Sequence, residues 1–378
     1  MEAVAIIGAG NGGCAAAADL VRRGYKVSLF SRSESTLRPI RERGGVEYTG
    51  SFGDGFSPIQ NITTDIRQAV EGAKVILITT PTTAHGWFAQ LLAPLLTTEH
   101  IVMLNPGHTG GGLHFVHSLR ETGYSGEVRT CETITLTHGC RMAGPAQVRV
   151  FAVMKNLRLS AFPSKYLPDI LPRIKELFPN VVPAGNVLDT GLLNLNAMEH
   201  PPGMLLNAGW IEFTKGNFRF YSEGITPAVA RVIQKVDDER MEVVKTLNRR
   251  AGLGMKEMSF IEYFHQAGFT SLRAVQANDM YIALQDSEPN KPVKAPDSLQ
   301  HRYVDEDVGF GLVPIYAFGE MAGVNMPVTK LMIDLACVER GVDFWTEGLT
   351  RKKMGLENVD VGALADFLEQ GSLARAHA

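Results

Sequence analysis

Along the first 185 residues the apolar positions come in short runs of strand length, each followed by glycine or a polar turn. Beyond Asn186 those runs stop, and apolar residues recur at the three- and four-residue spacing of amphipathic helices. The run at residues 3–7 predicts a strand and passes directly into Gly8-Ala-Gly10-Asn11-Gly12-Gly13. A small-residue helix is expected over 14–23, closed by Gly24, with a second strand at 26–30. Further strands are expected at 75–79, 101–104, 127–132 and 148–153, with a short helix over 64–72. Together they predict one sheet of about seven or eight strands. In the second half, residues 227–249 read as a long amphipathic helix capped by Thr226, and 287–297 as a proline-rich loop. The expected chain is an α/β domain, about 1–185, followed by an all-α domain, about 186–378, with a cleft between them as the place for chemistry.

The glycine loop changes this from a shape to a ligand. Strand, GxGxxG, helix and strand follow one another within about 30 residues, the context a dinucleotide fingerprint requires. Gly8 permits the tight turn, Gly10 lets backbone approach a pyrophosphate, and Gly13 lets helix and strand pack closely. Asn11 and Gly12 complete the loop, and the helix start offers free N–H groups to phosphate. The N-terminal domain is therefore expected to be of the Rossmann type. The end of the second strand, Phe30-Ser31-Arg32-Ser33, carries no acid for a ribose 2′-hydroxyl. Ser31 and Arg32 suit a 2′-phosphate instead, so NADP(H) is expected over NAD(H). Thr80, Pro81 and Asn105 stand at later strand ends and should line the nicotinamide side, with His108 near a substrate carboxylate.

A second cluster lies about 190 residues on, at Asn196-Ala-Met-Glu-His200-Pro201-Pro202-Gly. Asn196 and His200 are four apart and share one helix face. Pro201 and Pro202 are expected to end that helix, leaving His200 at its terminus, where it can exchange protons near neutral pH. Later, Arg302-Tyr303-Val-Asp305-Glu306-Asp307 sets three acids against an arginine. An aspartate beside His200 would fix the imidazole tautomer, and Arg302 offers a planar fork for a carboxylate.

Composition narrows the class. Hydrophobic residues make up 45% and charged residues 20%, an ordinary globular balance. A net charge of −3 without a basic block argues against nucleic acid. The start of the chain has no signal-peptide pattern, and no run nears the roughly 20 apolar residues of a membrane span, so the chain reads as cytoplasmic. Cys14, Cys131, Cys140 and Cys337 are scattered, and Cys131, His138 and Cys140 lack the further ligand a zinc site needs, so no metal is expected. The apolar helices late in the chain have surface for a homodimer or for their own core.

Taken together, the motifs resemble the opine dehydrogenase family, the octopine and nopaline dehydrogenases and their bacterial relatives. The resemblance runs through Gly8-Ala-Gly-Asn-Gly-Gly13, Asn105-Pro-Gly107, Cys140-Arg141, Asn196-x-x-x-His200-Pro201 and Arg302-Tyr-x-x-Glu-Asp307. The last two are specific to that family, while the first is common to many folds. The resemblance implies NAD(P)H-dependent condensation of the amine of an L-amino acid with a 2-oxo acid, pyruvate or 2-oxoglutarate. It implies a catalytic His200–Asp307 pair, a carboxylate contact from Arg302 and a keto-acid contact from Thr135, with Asn196 beside the substrate. The chain departs from members with an acidic residue at the second strand's end. Two other readings stand beside it: a 2-oxo acid reductase of the ketopantoate reductase or glycerol-3-phosphate dehydrogenase type, and a non-catalytic NADP(H)-binding regulator.

Overall fold

The computed structural model of the chain describes residues 3–373. The chain forms two compact units, one running to Thr190 and rejoined by the segment from Asp366, the other Gly191–Ala365. The division thus lies at Thr190, not at 185/186. Residues 186–190 stay with the first unit because the Thr190 hydroxyl donates to Glu132 at 2.9 Å and Asp189 pairs with Arg158.

Among the described residues, twelve strands belong to the first unit: β1 (Ala3–Ile7), β2 (Lys26–Phe30), β3 (Gly45–Gly50), β4 (Gly55–Pro58), β5 (Asn61–Thr63), β6 (Ala73–Ile78), β7 (Ile101–Leu104), β8 (Arg129–Thr133), β9 (His138–Gly144), β10 (Gln147–Val153), β11 (Leu157–Phe162) and β12 (Val181–Pro183). The main sheet has eight strands in the order β12-β11-β8-β7-β6-β1-β2-β5. Its pairs are parallel except β8 with β11. β1, β6 and β7 are almost wholly buried, which is why they read as unbroken apolar runs. After β1 the chain adds β2 on one side and later β6 on the other, so the order reverses at β1. Ile7 lies level with Phe30 and Ile78, and Ile78 with Leu104. The carboxyl ends of these strands therefore form one edge, carrying Gly8, Ser31, Thr79 and Asn105 at a topological switch point.

The segment 148–153 does not extend this sheet. As β10 it joins β4, β3 and β9 in a separate four-stranded sheet, order β4-β3-β10-β9. Val148 and Val150 are buried while Arg149 and Phe151 are exposed. That alternation marks a sheet covered on one face only, and an exposed arginine between two buried valines does not fit a strand covered on both.

The second unit is helical, with Leu195–Leu205, Pro227–Ala251, Arg302–Asp307, Val313–Ala322 and Pro327–Arg340 around its core. Thr226 caps the longest of these by accepting from the Val229 amide. Arg240, 1% exposed, pairs with Asp237 at 2.6 Å and donates to the carbonyls of Leu192 and Met258. Asp237 in turn accepts from the Phe260 amide at 2.9 Å. A buried ion pair whose remaining donors and acceptors are satisfied avoids most of the desolvation penalty of an incomplete one. Among the described residues no helix is long and apolar enough to cross a membrane.

Candidate active site

The helix Leu195–Leu205 continues through both prolines, so His200 stands inside it and not at its end. Prolines there remove the amides that would bond the carbonyls of Ala197 and Met198. Ala197 through Leu205 are all buried, and that packing outweighs the local preference to stop. The helix Arg302–Asp307 runs on into a wider π-helical turn, Val308–Leu312. A Cβ on Gly311 would stand 2.6 Å from the Ala197 side chain, so glycine there lets the turn close against the His200 helix.

This contact delivers Asp307. Its Oδ2 lies 2.7 Å from His200 Nδ1, with the aspartate 1% and the histidine 4% exposed. Successive helical residues point about 100° apart. The three acids accordingly find three partners: Asp305 meets Arg340 at 2.9 Å, Glu306 meets Arg302 at 3.1 Å, and Asp307 meets the imidazole. The Tyr303 ring stacks on His200 with centroids 3.6 Å apart and 14° between planes, and Phe220 meets it edge-on.

Two groups here escape the sequence reading. The Tyr221 hydroxyl lies 2.8 Å from His200 Nε2 and 3.4 Å from Glu199 Oε1. Burial pushes the Glu199 carboxyl up to about 8, helped by the nearby Asp307 charge and opposed by the Tyr221 hydroxyl. Tyr221 is held well above its ordinary range by burial and by Glu199. Glu199 had one legible signal, an acid next to the motif histidine. Tyr221 had none, because a turn between helices brings it in from another segment. Arg302 is half-exposed; burial opposes its charge, but Glu306 and Asp307 raise its pKa above the ordinary value. Asn196 is half-buried on the His200 helix, four residues before it.

The remaining predicted residues belong to the first unit. Gly8 has φ +115°, and a Cβ on Gly13 would sit 1.7 Å from the Gly8 carbonyl oxygen, so the turn and the helix–strand contact both need glycine. At Gly10 a Cβ would meet nothing within 4 Å. That open backbone lies at the start of the helix Asn11–Arg22, where it would leave room for a pyrophosphate. The Asn11 side chain instead accepts from the Met142 amide at 2.8 Å, tying the loop to β9. Thr80 Oγ1 is buried with no hydrogen-bond partner among the described residues, a hydroxyl whose bond a bound ligand would complete. Pro81 leads into the short turn Thr82–Ala84 beside it. Arg32 is exposed at the end of β2, with its guanidinium 5.1 Å over the half-exposed Trp87 ring, and Ser31 Oγ accepts from the Ser33 amide. The open glycine backbone, the helix start and the Thr80 hydroxyl fit a dinucleotide.

Asn105 is wholly buried, and its carboxamide is bonded to Thr133 and to both the amide and hydroxyl of Thr137. It ties the end of β7 to the β8–β9 segment, and its backbone amide donates to the Ile78 carbonyl at 2.8 Å. His108 is buried with φ +55° in the loop after β7, and Thr135 is half-buried in the bend between β8 and β9. Among the described residues no group of three or more His, Cys, Asp or Glu side chains is arranged to hold a metal.

Comparison with known proteins agrees with both halves. Residues 183–338 match a family model described as NAD/NADP octopine/nopaline dehydrogenase, alpha-helical domain. Residues 3–122 match the NAD-dependent glycerol-3-phosphate dehydrogenase N-terminus. The opine dehydrogenase of Arthrobacter sp. (strain 1C) is 34% identical over 97% of this chain and 98% of its own. The vitopine synthase of Allorhizobium ampelinum is 28% identical over 97% and 99%. A solved octopine dehydrogenase with NADH and L-arginine superposes with TM-score 0.79 at 20% identity, covering 100% of both chains. A yersinopine dehydrogenase with NADP+ gives 0.74 at 16% identity over 98% of both.

Proposed function

This chain belongs to the opine dehydrogenase family, NAD(P)-dependent oxidoreductases acting on CH–NH groups, and on that premise we propose that it joins the amine of an L-amino acid to a 2-oxo acid. The product is an N-(carboxyalkyl)amino acid, and the reverse oxidation runs through the same groups. The observation that carries this reading is the buried His200 Nδ1–Asp307 contact of 2.7 Å. Asp307 holds the ring proton on Nδ1, so the basic atom is Nε2, which exchanges its contact with the Tyr221 hydroxyl for the substrate amine. His200 takes a proton from the amino acid's ammonium, and the freed amine attacks the keto carbon. The same imidazole returns that proton to the carbinolamine hydroxyl, which leaves as water. Such positioned proton transfer contributes roughly 10²–10⁴-fold. The nicotinamide, when bound, supplies the hydride that reduces the resulting iminium.

Arg302 anchors one substrate carboxylate through its guanidinium fork, in exchange with Glu306. Asn196, Thr135 and His108 are the further substrate contacts of this proposal. Gly8, Gly10, Gly12 and Gly13 with Thr80 and Pro81 would hold the nucleotide, and NADP(H) would be preferred because Ser31 and Arg32 suit its 2′-phosphate. Crossing L-amino acids with pyruvate and 2-oxoglutarate, with NADPH or NADH, tests the reading through loss of reduced-nicotinamide absorbance. Oxidation that requires both partners supports it. Oxidation at the same rate with the 2-oxo acid alone would make the protein a simple 2-oxo acid reductase.

A further inference from the structure

A guanidinium binds a phosphate best when its plane and its N–H edge are already aimed, because a long exposed side chain otherwise loses rotamer freedom on binding. Arg32 is such a side chain, exposed just beyond the end of β2. Its surroundings leave the charge available. Glu34, the nearest acid in sequence, is drawn into a pair with Arg41, and among the described residues Arg32 makes no ion pair. The backbone beneath it is braced on both sides. Ser31 Oγ accepts from the Ser33 amide, and Ser33 Oγ accepts from the Thr36 amide at the start of the helix Glu34–Arg43. The side chain itself rests on Trp87, with the guanidinium 5.1 Å from the ring centroid.

Trp87 is held in turn. Its indole meets the Phe88 ring edge-on at 4.7 Å, and Phe88 meets Phe30, the last residue of β2, edge-on at 6.1 Å. Phe30 and Phe88 are each 2% exposed, so this row of rings is seated in the core and only Trp87, at 42%, emerges from it. The helix His85–Leu92 that carries Trp87 packs closely at Gly86, where a Cβ would stand 2.7 Å from the His114 ring and 2.9 Å from the Ser118 hydroxyl. A carboxylate partner would take up both the charge and the N–H donors of Arg32. An aromatic face takes up neither, since the guanidinium lies flat on it and keeps its planar edge free.

We propose that Trp87 is a specificity-determining residue for the cofactor, presenting the Arg32 guanidinium to the 2′-phosphate and so favouring NADP(H) over NAD(H). This rests on the 2′-phosphate role given to Arg32 above. Trp87 is a positioning residue that acts through the arginine. The stack exists before the phosphate arrives and persists afterwards, so its own attraction cancels in the affinity. What remains is the freedom that Arg32 has already lost. That gain cannot exceed the strength of the stack, roughly two- to fivefold at an exposed site.

Calorimetric titration of the full chain with 2′,5′-ADP and with 5′-AMP, which differ only in the 2′-phosphate, tests this without the nicotinamide or any substrate. Trp87→Leu keeps an apolar side chain and removes the π face, whereas Trp87→Phe keeps a ring. The parent chain should bind 2′,5′-ADP more tightly than 5′-AMP. Trp87→Leu should lose roughly two- to fivefold for 2′,5′-ADP and nothing for 5′-AMP, and Trp87→Phe should stay close to the parent. Adding Trp87→Leu to Arg32→Ala should weaken 2′,5′-ADP no further, because the tryptophan acts only through the arginine. Equal losses for both ligands would overturn the proposal, since the indole would then serve the adenine or the fold. A further loss in the double variant would overturn it as well. If the parent chain binds the two ligands equally, the 2′-phosphate reading falls and this proposal with it. If the parent discriminates and Trp87→Leu discriminates as strongly, the reading stands and the role of Trp87 is refuted.

Discussion

Replacing Asp307 by asparagine exchanges one oxygen for an amide nitrogen at the most buried point of the site. Asp307 Oδ2 receives the Nδ1 proton of His200 over 2.7 Å, away from solvent on both sides. If the carboxamide turns its oxygen to the ring, geometry survives and only the charge is lost. A hydrogen bond to a charged partner contributes about 1.5–3 kcal/mol, so the imidazolium of the proton-transfer step becomes roughly 10–150-fold harder to form. If the carboxamide turns its NH₂ instead, Nδ1 must accept, and the ring proton moves to Nε2. The basic atom then disappears, and the equivalent swap in a serine-protease triad lowers kcat by about 10⁴. The expected outcome for Asp307→Asn is a fall in kcat of about 10–10⁴-fold, set by which way the carboxamide turns, with His200→Ala at about 10²–10⁴-fold and the double variant little worse than the histidine variant. Initial rates of NAD(P)H oxidation give kcat, and cofactor fluorescence titration should give an unchanged Kd, because neither residue belongs to the nucleotide-binding unit. A kcat within about threefold of the parent protein, or strictly additive losses in the double variant, would show that the pair does not act as one acid/base unit.

Three further outcomes follow from other parts of the molecule. Arg32→Ala should weaken NADPH by roughly 10–150-fold and leave NADH nearly unchanged, and equal kcat/KM for the two cofactors in the parent enzyme would refute the 2′-phosphate role. Arg302→Lys should raise KM for one substrate much more than for the other, because an ammonium lacks the bidentate fork; if both KM values stay within about twofold, the arginine serves only Glu306. Glu132 is fully buried, accepting from the Gly112 amide and the Thr190 hydroxyl, and burial lifts its carboxyl from 4.5 to about 8. Between those values the unfolded chain releases the proton while the folded chain keeps it, so the contribution of Glu132 to stability is lost as pH rises. Glu132→Gln should therefore gain in Tm relative to the parent as pH goes from about 5 to about 8, and parallel Tm–pH curves would contradict this.

The first β-α-β unit was legible because its signals are local. Glycines at fixed offsets, an apolar run and a small-residue helix all lie within the span that fixes their geometry. The four-stranded sheet was missed as a sheet because β3 and β10 pair across about a hundred residues, a contact no local period records. Its clue was Arg149 between two valines. His200 and Asp307 were legible through their motifs, although the helix ran on where two prolines predicted its end, since burial of that whole segment decides the matter. Asn105 was assigned to cofactor from its place at a strand end, whereas its side chain braces neighbouring loops. Tyr221 was out of reach, because its role depends on which turn folds over the imidazole.

The three adjacent acids at 305–307 have a consequence for how this protein can change over time. Each faces a different partner only because a helix turns about 100° and rises 1.5 Å per residue. A substitution at any one of them disturbs one pairing. Loss or gain of a single codon between Arg302 and Asp307 would turn all later residues to a new bearing, presenting Glu306 or the apolar Val308 to the imidazole. Length in this stretch should therefore be far less free to drift than composition, and a count of residues from the arginine to the aspartate should track diverged descendants after most of their letters have changed.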